Sequence, residues 1–255
     1  MNSFLFAVAY WCLSIFYSLA ALVLSFLPGR KPVAWVIARY TKRMVWAMRV
    51  LAGIRLEVRG REHLIDRPVI YACKHHSWGD GFCIYSTIPD LAFVTGDHLE
   101  KYPFMATLLK KLGAIVVNNC GGIEARRNLA SRSADAAKDG RSILIYPEGH
   151  LNAPGTYRRY RSGVWHMMTS FNMPVVPVAT NLGVFWQEEH YKKTPGTAVI
   201  EFLEPIMPGM AKDEFLERLR DRIEARSQQL IAEATNTPVV PSVLVGGGET
   251  PSLSH

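Results

Sequence analysis

No charged side chain occurs between Met1 and Gly29, and from Phe4 to Leu27 the run is apolar apart from three serines and two tyrosines. A helix of that length reaches about 36 Å, enough to cross or lie deep within a bilayer core of about 30 Å. The segment also lacks the basic start and the short apolar stretch of a secretory signal, so membrane attachment is the expectation. Cysteine is scarce: Cys12, Cys73, Cys83 and Cys120 are scattered without a C-x-x-C pair, which argues against a disulfide framework and a cysteine zinc site and predicts free thiols in a reducing compartment. No H-E-x-x-H segment and no 20- to 50-residue self-similarity is present, which removes the usual metalloprotease signature and solenoid architectures. Nor is the chain poor enough in apolar residues to be disordered, since 49% of its 255 residues are hydrophobic and only 20% charged.

What is present begins at Pro28-Gly29-Arg30-Lys31-Pro32, a turn, after which Val33 to Leu51 has helical periodicity. At 100° per residue Arg39, Lys42, Arg43 and Arg49 fall within an arc of about 120°, opposite Val33, Ile37, Met44, Met48 and Leu51. Trp35, Trp46 and Val50 interrupt the cationic stripe, as suits an interface where aromatic rings settle. Residues 1–52 are therefore predicted to form a two-helix membrane-binding element. The net charge of +7 is assigned to anionic lipid, not to nucleic acid. Basic residues beyond the first helix leave the rest on the cytoplasmic face of the inner membrane.

Beyond Gly53 short β-rich runs alternate with helical stretches. Strands are predicted at Arg55–Arg59, Val69–Cys73, Leu91–Thr95, Ala114–Val117, Ser142–Tyr146, Val175–Ala179 and Thr197–Phe202. Helices are predicted near Asp80–Thr87, Pro103–Leu112, Gly122–Lys138, Ser162–Phe171 and Lys212 to about Glu233. The alternation implies an α/β domain over residues 53–236, with a largely parallel mixed sheet flanked by helices. From Thr237 to His255 the Pro, Gly, Ser and Thr content predicts a flexible tail.

In such sheets sites gather beyond the carboxyl ends of strands. Lys74-His75-His76-Ser77-Trp78-Gly79-Asp80 follows one predicted strand, Gly113 to Asn119 surrounds another, and Tyr146-Pro147-Glu148-Gly149-His150 follows a third. His75 and Asp80 are five apart, about 140° around an ideal helix, so only a turn can bring them together; Ser77 and Gly79 supply one. A carboxylate on one imidazole nitrogen fixes the tautomer and leaves the other nitrogen to remove a proton from a hydroxyl. The competing pair, His76 with Asp80, has the spacing of one helical face and could hold a metal, but needs a third ligand such as His98 or His150.

His75 to Asp80, then Gly113-Ala114-Ile115, Pro147-Glu148-Gly149 and Val176-Pro177-Val178-Ala179 form an ordered set that resembles the lysophosphatidate acyltransferase family, the 1-acyl-glycerol-3-phosphate O-acyltransferases. The resemblance spans about residues 30 to 230; Lys74 and Asn181 to Trp186 are similar to a bacterial subgroup. It implies transfer of a fatty acyl group from acyl-CoA or acyl carrier protein to the free hydroxyl of a lysophospholipid, with His75 as general base, Asp80 as its partner and no cofactor. By the same resemblance Glu148 positions the acceptor's glycerol region and Gly149 permits the turn. Members of the family carry arginines where this chain has Asn119 and Leu151, and Lys74, Arg126, Arg127, Arg158, Arg159 and Arg161 are the candidates to grip the acceptor phosphate instead. Another acceptor, such as lyso-ornithine lipid, and a catalytically inactive membrane-binding member of the fold are the alternatives.

Overall fold

The computed structural model describes residues 2–102, 104–117, 131, 133–187 and 190–245. Strands β1 (Ile54–Arg59), β2 (Ile70–Cys73), β3 (Ala92–Gly96), β4 (Ile115–Val117), β5 (Ile143–Ile145), β7 (Val175–Thr180) and β8 (Gly196–Phe202) form one sheet in the order β1-β8-β7-β2-β5-β3-β4. Neighbours run parallel except β7 and β8. Every expected strand is present to within a residue at either end. The central strands β2, β5 and β7 are buried at all positions, as strands covered on both faces must be.

Each face of the sheet has its own core. Tyr71 and Cys73 of β2 point to one side, where they meet Met44, Met48, Ile84, Val176 and Val178; Ile70 and Ala72 point to the other, among Met167, Val175, Phe215, Leu219 and Ile223. The second core is closed by α5 (Gly163–Phe171) and α7 (Lys212–Thr235), with the one-turn α6 (Leu182–Phe185) between them in the chain. The first lies under α3 (Gly79–Thr87) and a helical hairpin, α1 (Ser3–Leu24) and α2 (Lys31–Ala47). A π-turn, Met48–Ala52, continues α2 and stops at Gly53, whose φ of 73° is left-handed.

The two helices expected over residues 1–52 are present and pack on the sheet. The apolar side of α2 and of the turn that continues it is spent on the domain core, with Met44, Ala47 and Met48 fully buried, so the hairpin forms one layer over that face of the sheet. The opposite side matches the expected stripe: Arg39, Lys42, Arg43 and Arg49 are exposed beside Trp35, Trp46 and Val50. The side chain of Asn2 caps α1 by accepting from the N–H groups of Phe4 and Leu5. One face of α1 docks along its length, through Phe6 edge-on to Trp186, Ser14 on the Tyr40 hydroxyl at 2.7 Å, and buried Ala21. Phe4, Trp11, Ile15, Phe16, Leu19 and Val23 on the other face are each more than half exposed. Among the described residues α1 is the one helix long and apolar enough to cross a membrane.

Three smaller differences have local causes. Helix α4 (Met105–Leu112) starts later than expected because Phe104 is left-handed at φ 65°. Of the helix expected over Gly122–Lys138, residues 133–138 are helical, and Asn119, Arg126 and Arg127 lie outside the described residues. The tail expected to be flexible from Thr237 lays β9 (Val243–Leu244) beside β6 (Thr156–Tyr157), with the Val243 N–H on the Gly155 carbonyl at 2.9 Å. A two-residue ladder carries almost no pattern in sequence.

Candidate active site

Strands β7, β2 and β5 are parallel neighbours, so the segments that follow them share one end of the sheet. After β2 the chain makes a tight turn before α3. Asp80, in the first turn of α3, points back across it: its Oδ2 accepts the N–H groups of His76 and Ser77, both at 2.8 Å, and lies 3.1 Å from Nδ1 of His75. Ser77 closes the turn by accepting the Gly79 N–H at 3.0 Å. A Cβ on Gly79 would stand 2.7 Å from the Trp186 ring and 2.8 Å from Leu182, so the residue before Asp80 has to be glycine. The backbone thus fixes the carboxylate, and the carboxylate fixes the imidazole.

Asp80 is buried, whereas the His75 side chain keeps 22% of its surface exposed. With Nδ1 engaged, Nε2 is the nitrogen left to meet a substrate hydroxyl. The Tyr146 ring stacks on the imidazole at 3.9 Å and 18°, which holds its plane. Burial raises the Tyr146 phenol well above its ordinary pKa, so it stays neutral. His76 meets Asp80 through its backbone N–H alone among the described hydrogen bonds. Its ring is buried, and burial followed by the charge of Lys74 lowers its pKa well below 6.5, so it is a neutral interior histidine.

Lys74 and Glu148 are where the structure departs from expectation. Neither faces a cleft. The Lys74 ammonium is fully buried, 3.0 and 3.1 Å from the two Glu148 oxygens, 2.7 Å from Glu224 Oε1 and 2.8 Å from the Thr156 carbonyl. A cation so surrounded has no donor left for a phosphate. Glu148 is equally occupied: Oε2 also accepts from Asn152 Nδ2 at 2.7 Å and the Arg158 N–H at 2.9 Å. Burial raises the pKa of this carboxyl, with Lys74 opposing the shift. Glu148 therefore braces the loop in which the Asn152 N–H reaches the His75 carbonyl at 3.0 Å.

The three arginines downstream separate. Arg158 is half-buried and its Nε donates to Asn152 Oδ1 at 3.1 Å, while Arg159 is exposed. Arg161 folds back over the Pro-Glu-Gly turn: a Cβ on Gly149 would lie 2.8 Å from its Cζ, and its Nη2 is 3.1 Å from His150 Nε2. Gly149 has φ 71°, so both conformation and contact call for glycine. A guanidinium thus reaches the turn from ten residues beyond the half-buried Leu151. Sequence reasoning missed the stacking of Tyr146, although the residue sits directly before Pro147, and missed Glu224 altogether.

A family model described as acyltransferase matches residues 55–181, which hold both the His75 turn and the Pro-Glu-Gly turn. This chain carries an acyltransferase domain. The acyltransferase is 28% identical over 217 residues to the 1-acyl-sn-glycerol-3-phosphate acyltransferase of Pseudomonas aeruginosa, covering 85% of this chain and 84% of that protein. It is 25% identical over 134 residues to the lyso-ornithine lipid O-acyltransferase of the same organism, about half of each chain. The crystal structure of the 1-acyl-sn-glycerophosphate acyltransferase of Thermotoga maritima shares the fold, with a TM-score of 0.73 and 20% identity over 90% of this chain and 96% of that one.

Proposed function

We propose that this acyltransferase moves a fatty acyl group from the thioester of acyl-CoA or acyl carrier protein to the free hydroxyl of 1-acyl-glycerol-3-phosphate, giving phosphatidate. The observation that carries the reading is the 3.1 Å contact between partly exposed His75 and buried Asp80, in a chain alike over most of its length to a bacterial enzyme named for that acceptor. His75 Nε2 takes the proton of the hydroxyl as its oxygen attacks the thioester carbonyl. The C–S bond then breaks, and the leaving thiolate takes the proton back from the imidazolium. Asp80 stabilises the imidazolium and holds the tautomer. A thioester arrives activated, so the step calls for no metal or organic cofactor. Arg161, with exposed Arg159, supplies guanidinium groups for the acceptor phosphate in place of Lys74.

The exposed face of α1, with Trp35, Trp46 and the α2 cations at its border, supports seating in one leaflet of the inner membrane on the cytoplasmic side. Leucine at 151 and the shorter likeness to a lyso-ornithine lipid enzyme favour a second reading, in which the acceptor lacks that phosphate. A panel of lysolipids offered with one labelled acyl donor separates the two. Lysophosphatidate is expected to be acylated fastest; faster acylation of lyso-ornithine lipid would replace it as the acceptor.

A further inference from the structure

Lys74 and His75 are consecutive at the carboxyl end of β2, and consecutive side chains leave an extended segment on opposite sides. His75 goes to the partly exposed side and Lys74 to the interior, where it meets Glu148 from the turn after β5, the Thr156 carbonyl of β6 and Glu224 from the middle of α7. The side chains of Lys74 and Glu148 are 0% exposed and that of Glu224 is 7% exposed. One ammonium faces two carboxylates, and neutral donors attend the remaining charge: the Tyr160 hydroxyl on Glu224 at 2.9 Å, Asn152 and the Arg158 N–H on Glu148.

Burying such a trio is expensive, and well-packed apolar residues of the same volume are often as stable or more so. Stability alone is therefore a poor reason for the cluster. What the trio does provide is a fixed distance between the His75 turn and a helix 150 residues downstream in the chain. We propose that Glu224 and Lys74 are positioning residues, α7 acting through the Lys74 ammonium to hold the backbone from which His75 reaches Asp80. The inference rests on the reading of His75 as the base. Slackening the tether lets the imidazole drift from Asp80, which slows proton transfer while leaving substrate contacts in place.

Replacing Lys74 would strand two buried carboxylates, so the informative variants are at Glu224, where one ammonium still faces one carboxylate. Glu224→Leu combined with Tyr160→Phe removes the tether together with the hydroxyl it would orphan. It is expected to fold, to lose about tenfold or more in kcat with either KM changed less than about twofold, and to displace the acid limb of the kcat pH profile. Glu224→Gln keeps an acceptor in place and should recover most of the rate. Glu224→Asp keeps the charge but withdraws it by one methylene, and should give an intermediate loss with the same displacement of the pH limb; it serves if the double variant does not fold. Wild-type kcat and pH profile in folded Glu224→Asp or in the double variant would overturn the proposal, as would a kcat loss that only tracks the unfolded fraction. His75→Ala assayed in parallel keeps the two readings apart. An active His75→Ala enzyme removes the base itself, whereas an inactive one beside normal Glu224 variants removes only the tether.

Discussion

Lys74 and His75 are neighbours in sequence and opposites in environment. The ammonium is sealed among oxygens that saturate it, while the imidazole has one nitrogen on Asp80, a tyrosine against its face and part of its surface exposed. Both are charged or chargeable groups of the type that grips phosphate or moves protons. What separates them is a single step along an extended chain. Chemistry in this site follows from the direction in which a side chain leaves the strand, and residue type alone does not give that direction.

The hardest break of the contrast is at the open member. His75→Ala should abolish acyl transfer, and Asp80→Asn should lower kcat by about three to four orders of magnitude with the fold intact, because an amide cannot stabilise the imidazolium. Single-turnover assays with circular dichroism as the folding control would check both. A weaker effect of His75→Ala than of His76→Gln would transfer the dyad to the second histidine.

The next effect extends the contrast to α1, whose docked and bare faces are as unlike as Lys74 and His75. Ile15→Glu with Leu19→Glu, both on the bare face, should reduce partition onto anionic vesicles about a hundredfold or more, since each lost apolar side chain removes about 1.5–3 kcal/mol of burial. Flotation reads this out, and unchanged binding would move the membrane contact elsewhere. A smaller change is expected at the turn: Arg161→Ala should raise the KM of lysophosphatidate about ten- to a hundredfold with little change for the donor, the loss expected for one charge-assisted contact. Equal loss for donor and acceptor would assign Arg161 to the donor.

The finest test compares His75 with His76. Because the folded His76 has its pKa well below 6.5, the unfolded chain takes up a proton there before the folded one does. Its contribution to stability is complete above pH 6.5 and is lost as pH falls below that value, by at most about 1.4 kcal/mol per pH unit. Urea midpoints between pH 7.5 and 5.0 should show His76→Gln with a flatter dependence than the wild type. Parallel curves would mean that the ring is not held neutral.

Much of this was legible in sequence where one residue type carries one meaning. The β-branched runs at Val69–Cys73 and Val175–Ala179 announce covered strands, and the small residues Ser77 and Gly79 announce the turn that joins His75 to Asp80. Lys74 and Glu148 were assigned the wrong surroundings because a charged residue at a strand end reads as a ligand until its direction is known. Glu224 was hidden differently. It sits with Ser227 and Gln228 on a buried strip of a helix that also exposes Asp213, Glu214, Glu217 and Asp221, so its polar neighbours imitate a solvated face. The π-turn and the β6–β9 pair are too short to impose a period.

The two unlike faces of α1 also determine how this acyltransferase has to be assayed. A helix docked along one side and bare along the other sits at a boundary, and on the proposed reading acceptor and product both stay in the lipid layer that the bare face enters. The acceptor concentration that matters is then its mole fraction in that layer. Diluting vesicles with buffer should leave the rate per bound enzyme unchanged, whereas diluting the acceptor with inert lipid should lower it, even at the same number of moles per litre.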